Sequence, residues 1–95
     1  MRGTIQSETG DMREEQQSDA QVTARVQRVF EGIFRRDLAF STRLDRAQEP
    51  RWTSLQHIEF LIGLEREFGI RFDGADATDM STMPVVLSRV REKLS

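Results

Sequence analysis

The chain's only histidine, His57, lies three residues beyond a serine in the run Thr53-Ser54-Leu55-Gln56-His57. A serine nucleophile needs a base within hydrogen-bond reach and a third group that orients the base. The spacing puts Ser54 and His57 about one helical turn apart, but no orienting acid accompanies them. His57 also falls on an apolar stripe, where a packed core histidine is the simpler reading. Asp73, Asp76 and Asp79 are the other cluster with chemical potential. They lack the central glycine and terminal glutamate of a calcium loop and are read as a solvated connector. With no cysteine and one histidine, thiolate chemistry and a zinc site of the usual kind are excluded. The expectation is a protein with no catalytic residues and no metal of its own.

Ser54 retains one role. Thr53 is placed to cap the helix that follows, and Gln56 completes a capping box with it. Ser54 then occupies the first turn with a hydroxyl left free to point outward. A helix start presents unpaired N–H groups and a positive dipole end, which favour a phosphate. Ser54 is thus a candidate for covalent modification.

The elements that position it follow from periodicity. Val22, Val26, Val29, Phe30, Ile33 and Phe34 recur at helical spacing. They predict a first helix over about residues 19–35, capped by Ser18 or Asp19. Residues 36–53 lose the period but keep isolated Leu38, Phe40, Leu44 and Trp52, which indicates a long loop pinned to a core. A second helix runs to Phe68, and Gly69 stops it. On it His57, Phe60, Leu61, Leu64 and Phe68 form a stripe that faces a bundle core. Leu55, Ile58 and Ile62 form a second stripe, rimmed by Glu59, Arg66 and Glu67. Either a neighbouring helix covers this strip or it is a partner surface. Ile70-Arg71-Phe72 reads as an extended connector that buries Ile70 and Phe72. Residues 73–79 allow one short turn of helix. Ser81 is the cap candidate for a last helix over about residues 82–94, with Pro84 in its first turn. The fold class expected is an all-α bundle of three main helices plus a short one, with a long first loop.

Composition bounds the rest. The chain has 95 residues and a net charge of −2. Residues 1–20 hold five acids and two arginines, and their apolar residues are Met1, Ile5, Met12 and Ala20 alone. Residues 1–18 are read as a disordered polar tail and residues 19–95 as the folding domain. A domain of that size buries only about 60% of its unfolded surface and has no core to spare for a deep cleft. Bases are scattered along the chain, so nucleic acid is not the expected partner. There is no apolar run long enough for a membrane span and no leader-like segment. A soluble, cytoplasmic monomer is the expectation.

The run Trp52-Thr53-Ser54-Leu55-Gln56-His57-Ile58-Glu59-Phe60-Leu61, followed by Leu64-Glu65-Arg66-Glu67-Phe68-Gly69-Ile70, resembles the acyl carrier protein and phosphopantetheine-binding domain family. There an Asp-Ser-Leu motif opens helix II and a Leu-Glu-x-x-Phe-x-Ile run closes it. The likeness covers about residues 20–94, with Leu44 in the loop and Ser81-Thr82-Met83 before the last helix. It implies a four-helix carrier fold in which the connector after helix II holds the short third helix. It implies that Ser54 receives 4′-phosphopantetheine from coenzyme A through a separate magnesium-dependent phosphopantetheinyl transferase. Acyl-loading and acyl-transferring enzymes would then use the arm's thioester, as in lipid or polyketide biosynthesis. Leu55, Ile58, Glu59 and Ile62 fall on the family's docking helix. Thr53 stands where many acyl carriers have Asp, and Arg66 where acidic residues are common. Both departures imply a dedicated carrier in a specialised pathway. An aminoacyl or peptidyl carrier, and an unmodified carrier-like interaction module, are the alternative readings.

Overall fold

The computed structural model describes residues 18–95, and the expected disorder of the tail lies outside them except at Ser18. Ser18 belongs to the domain rather than to the tail. Its hydroxyl accepts from the backbone N–H of Gln21 at 3.1 Å, and its own N–H donates to Gln21 Oε1 at 2.9 Å. This reciprocal cap starts helix α1, Asp19–Phe34. Val22, Val26, Phe30 and Phe34 line its buried face. The helix ends one residue earlier than the periodicity predicts. Arg35 takes φ 54°, a region disfavoured for a residue with a Cβ, and so leaves the helical path.

The loop that follows is pinned, as its spaced apolar residues predict. Leu38, Leu44 and Trp52 are buried and Phe40 is half-buried. Trp52 sits edge-on to Phe30, Phe34 and Phe60 with ring centroids 5.9–6.1 Å apart. Such aromatic contacts add about 0.5–1.5 kcal/mol each beyond the area they bury. One turn of 3₁₀ helix, Arg46–Gln48, is capped by Asp45. Its start is tied to the other end of the domain. Arg46 N donates to Ser81 O, and Met83 N donates to Leu44 O, both at 2.8 Å.

Helix α2 spans Ser54–Phe68. Gly69 ends it at φ 66° and donates its N–H to Glu65 O at 2.8 Å, in the left-handed conformation that glycine adopts without a Cβ penalty. Phe60 and Leu64 are fully buried against α1. The two helices approach so closely that a Cβ at Gly63 would lie 2.8 Å from Val29 Cγ1. Phe68 departs from expectation. It is half-buried at the edge of the core, with the Arg25 guanidinium 4.4 Å above its ring. Arg25 is in turn held by the Glu67 carboxylate at 2.7 Å. The fully buried part of the stripe therefore ends at Leu64, and Phe68, in the last turn of α2, packs at the edge of the core beneath Arg25 of α1.

The connector 70–72 is irregular, and Ile70 and Phe72 are half-buried rather than buried. Helix α3, Gly74–Asp79, begins at a capping box between Asp73 and Asp76. Asp76 is buried, not solvated, and receives Arg89 and Lys93 from the last helix. Helix α4, Met83–Leu94, is capped by Thr82, not Ser81. Thr82 is extended and bridges Asp45, which turns its hydroxyl to Val85 N. Met83, Val86, Leu87 and Val90 complete the core. Among the described residues the architecture is all-α, four helices around one apolar core. No helix among them is long and apolar enough to cross a membrane.

Candidate functional site

The start of α2 is built by three side chains from two elements. Thr53 takes the cap, its Oγ1 accepting from Gln56 N at 3.2 Å. The box expected with Gln56 forms only by half. Gln56 Oε1 accepts from the Thr53 hydroxyl at 3.3 Å instead of reaching the Thr53 backbone. Ser54 is therefore the first helical residue, exposed, with the first-turn N–H groups beside it lacking intrahelical acceptors. No acid stands in this first turn, in contrast to α1 and α3, which carry Asp19 and Asp76 there.

The hydroxyl of Ser54 is not unengaged. Arg46 reaches across from the 3₁₀ turn and donates from Nη2 to Ser54 Oγ at 3.0 Å. The same guanidinium donates from Nε to Trp52 O at 3.1 Å. The Ser54 side chain thus faces solvent with one lone pair oriented by a cation. Arg46 lies eight residues before Ser54, in a stretch with no periodicity, and nothing in its spacing marks it.

His57 lies one turn further on and is buried. The indole N–H of Trp52 donates to its Nδ1 at 3.0 Å, so Nε2 carries the proton and donates to Ala77 O at 2.9 Å. Both ring nitrogens are committed, and neither faces Ser54. Burial holds the imidazole pKa below its ordinary value, and the Arg46 charge pushes the same way against the Ala77 bond. His57 is a core brace joining the loop, α2 and α3, in line with the stripe that carries it.

The second stripe is uncovered. Leu55, Ile58 and Ile62 are 66, 55 and 42% exposed, the large apolar side chains left at the surface among the described residues. Glu59 is exposed on the same face. Open grooves flank Ile62. One, of about 390 Å³, runs between α1 and α2 past Gly32, Ile33, Arg35, Glu59 and Arg66. The other, of about 540 Å³, is lined by Glu65, Arg66, Gly69, Ile70 and Arg71. The alternative in which a helix of this chain covers the strip does not hold among the described residues. Ser54, Leu55, Ile58, Glu59 and Ile62 are brought together on one side of α2.

Asp73, Asp76 and Asp79 do not converge as ligands. Asp76 accepts from Asp73 N at 3.0 Å and pairs with Lys93 at 3.0 Å, while Asp79 and Asp76 share Arg89. The Asp73 N–H, with Lys93 and Arg89, holds the Asp76 carboxyl well below the usual carboxylate range despite its burial. Among the described residues no three such side chains are grouped to hold a metal ion.

The Ser54 site fits a phosphate ester: an exposed hydroxyl, a guanidinium on it, a helix start and no nearby carboxylate in the first turn. Comparison with family models, with curated proteins and with solved structures returned no match.

Proposed function

We propose that this chain is a discrete acyl carrier protein, modified on Ser54 with 4′-phosphopantetheine from coenzyme A. The observation that carries the reading is the placement of Ser54. It is the exposed first residue of α2, relieved of the capping duty by Thr53, and the apolar strip Leu55-Ile58-Ile62 starts at its side. The carrier reading accounts for the motif, the bundle and the exposure of the strip together. The arm would supply the thiol that holds an acyl group as a thioester. This chain's residues do the rest. Ser54 anchors the arm at a rigid helix start, and the strip with Glu59 docks the transferase and the acyl-loading and acyl-transferring enzymes in turn. Burial of such a strip by a partner is favourable by about 25 cal/mol per Å² before association costs.

A second reading is an unmodified interaction module. The bond from Arg46 to Ser54 Oγ favours it, because it gives the hydroxyl a structural partner, and the strip alone suffices for docking. One experiment separates the two. The full chain is incubated with coenzyme A, magnesium and a broad-specificity phosphopantetheinyl transferase, and its intact mass is measured. A gain of one phosphopantetheine, abolished in Ser54→Ala, supports the carrier. No gain, or an equal gain in Ser54→Ala, overturns it. Loading assays with acyl and aminoacyl donors then decide between acyl and aminoacyl cargo.

A further inference from the structure

We propose that Arg46 is the clamp for the phosphate attached to Ser54, a positioning residue that exchanges its bond to the hydroxyl for a charge-assisted pair with the phosphodiester. The inference rests on the carrier reading and adds to it a residue outside the motif.

Arg46 is set for this before any arm is attached. Its backbone N–H is held by Ser81 O at 2.8 Å, and it begins a 3₁₀ turn capped by Asp45. Its Nε is held by Trp52 O, and Trp52 is itself buried and bonded to His57. The guanidinium is thus fixed at its root and along one edge, and little side-chain freedom remains to be lost on binding an anion. Its Nη2 donates to Ser54 Oγ at 3.0 Å. Among the described residues Arg46 forms no ion pair, and unlike the exposed arginines that share this it is half-buried and held by Trp52 O. A half-buried, positioned and uncompensated cation beside an exposed hydroxyl is the arrangement that a negative group on that hydroxyl would complete.

The charge balance agrees. In the attachment step Ser54 Oγ forms a bond to the β-phosphorus of coenzyme A. The bond from that phosphorus to the 3′,5′-bisphosphorylated adenosine breaks, and this nucleotide leaves. The hydroxyl proton passes to a base on the transferase. Ser54 changes from a neutral alcohol to a phosphodiester with one negative charge, whose free oxygens lie two bonds beyond Oγ. The neutral cap Thr53 and the acid-free first turn offer no repulsion to that charge. With Nε held by Trp52 O, the N–H groups of Nη1 and Nη2 remain to pair with two phosphate oxygens, a planar arrangement that a lysine does not imitate.

The test is a thermal-melting cycle on the full chain, with and without the arm, in the native, Arg46→Gln and Arg46→Lys proteins. Attachment should raise the native melting temperature by about 3 °C or more. In Arg46→Gln the rise should fall to about half or less, the share left to the helix start alone, with Arg46→Lys between the two. A merely structural role would lower both forms equally and leave the difference between them unchanged. That result overturns the clamp. Ser54→Asp, in the native and Arg46→Gln backgrounds, repeats the cycle without a transferase. Its aspartate should stabilise more where Arg46 is present than where only the helix start acts on it, and equal effects in both backgrounds overturn the clamp again. Failure of the native chain to gain mass overturns the carrier reading instead, so the two failures are told apart.

Discussion

Trp52 and His57 are joined side chain to side chain inside the domain, the indole N–H donating to Nδ1 at 3.0 Å. The donor direction decides the charge of the histidine. A second proton would have to sit on Nδ1, where the indole hydrogen already points, while Nε2–H remains bound to Ala77 O. The neutral ring is the one that fits.

Stability should therefore depend on pH through His57. Its folded pKa lies below 6.5, so between that value and the folded one the unfolded chain binds the extra proton. The stabilisation is complete above 6.5 and is lost as pH falls through the window beneath it. Melting from about pH 7.5 to about pH 5.5 should show the native chain losing more stability than His57→Gln. The Asp76 carboxyl does not interfere, because its contribution is lost only on further acidification. Parallel curves for the two proteins would contradict the argument. Trp52→Phe keeps a ring in the core but leaves Nδ1 without its donor, and should cost about 1–2 kcal/mol near neutral pH.

Asp76 should be the most sensitive polar residue. It joins α3 to α4 through Arg89 and Lys93 and also receives the Asp73 N–H. Asp76→Ala removes all of these at once. Both cations are partly exposed and regain water, so the loss should be near the lower end of the range for broken buried pairs, about 2–3 kcal/mol. That corresponds to a fall of about 8–20 °C in melting temperature. A change within about 0.5 kcal/mol would show that the cluster behaves as an ordinary surface network.

The polar docking contacts can be tested by reversing charge at two sites on the groove beside Ile62, Glu59→Arg and Arg66→Glu. Both side chains are exposed, and both variants should melt within about 0.5 kcal/mol of the native chain. Association with the enzyme that modifies Ser54 should change several-fold in opposite directions for the two variants, and the differences should shrink as salt rises. Stopped-flow mixing over a salt series measures this. Unchanged rates for both would remove this face from the docking surface.

Periodicity and end signals made most of the frame legible. Thr53 and Gly69 bound α2 where their chemistry predicts, and the stripe from His57 to Leu64 is the buried one. What escaped is long-range. Arg46 meets Ser54 only because the loop doubles back and is held by Ser81 and Leu44 backbone bonds, and no local period encodes such a return. Asp76 sits among exposed acids in sequence, and only α4 makes it a buried acceptor. Ser81 and Thr82 are equivalent caps by type. The bridge from Thr82 to Asp45 decides between them. Phe68 continues the stripe in spacing, but at that turn α1 presents the charged side chain of Arg25 rather than an apolar one, and the ring is only half-buried.

The sharpest test of the surface assignment compares three truncations on α2. Phe60 is fully buried among Phe30, Phe34 and Trp52, and its replacement by Ala should cost about 3–5 kcal/mol. A domain this small has a total stability of only about 5 kcal/mol, so Phe60→Ala should be largely unfolded. Phe68 is half-buried, and its ring also supports the Arg25 guanidinium. Phe68→Ala should cost about 1–3 kcal/mol and leave a folded but weakened domain. Ile62 is 42% exposed, so Ile62→Ala should cost at most about 1 kcal/mol. The same three proteins, assayed for phosphopantetheine transfer where folded, should reverse the order. Ile62→Ala should lose more transfer efficiency than Phe68→Ala, through KM rather than kcat, because Ile62 belongs to the strip and Phe68 does not. If Ile62→Ala melts as low as Phe60→Ala, the strip is core. If it melts like the native chain and transfers at the native rate, the strip is surface without a docking role.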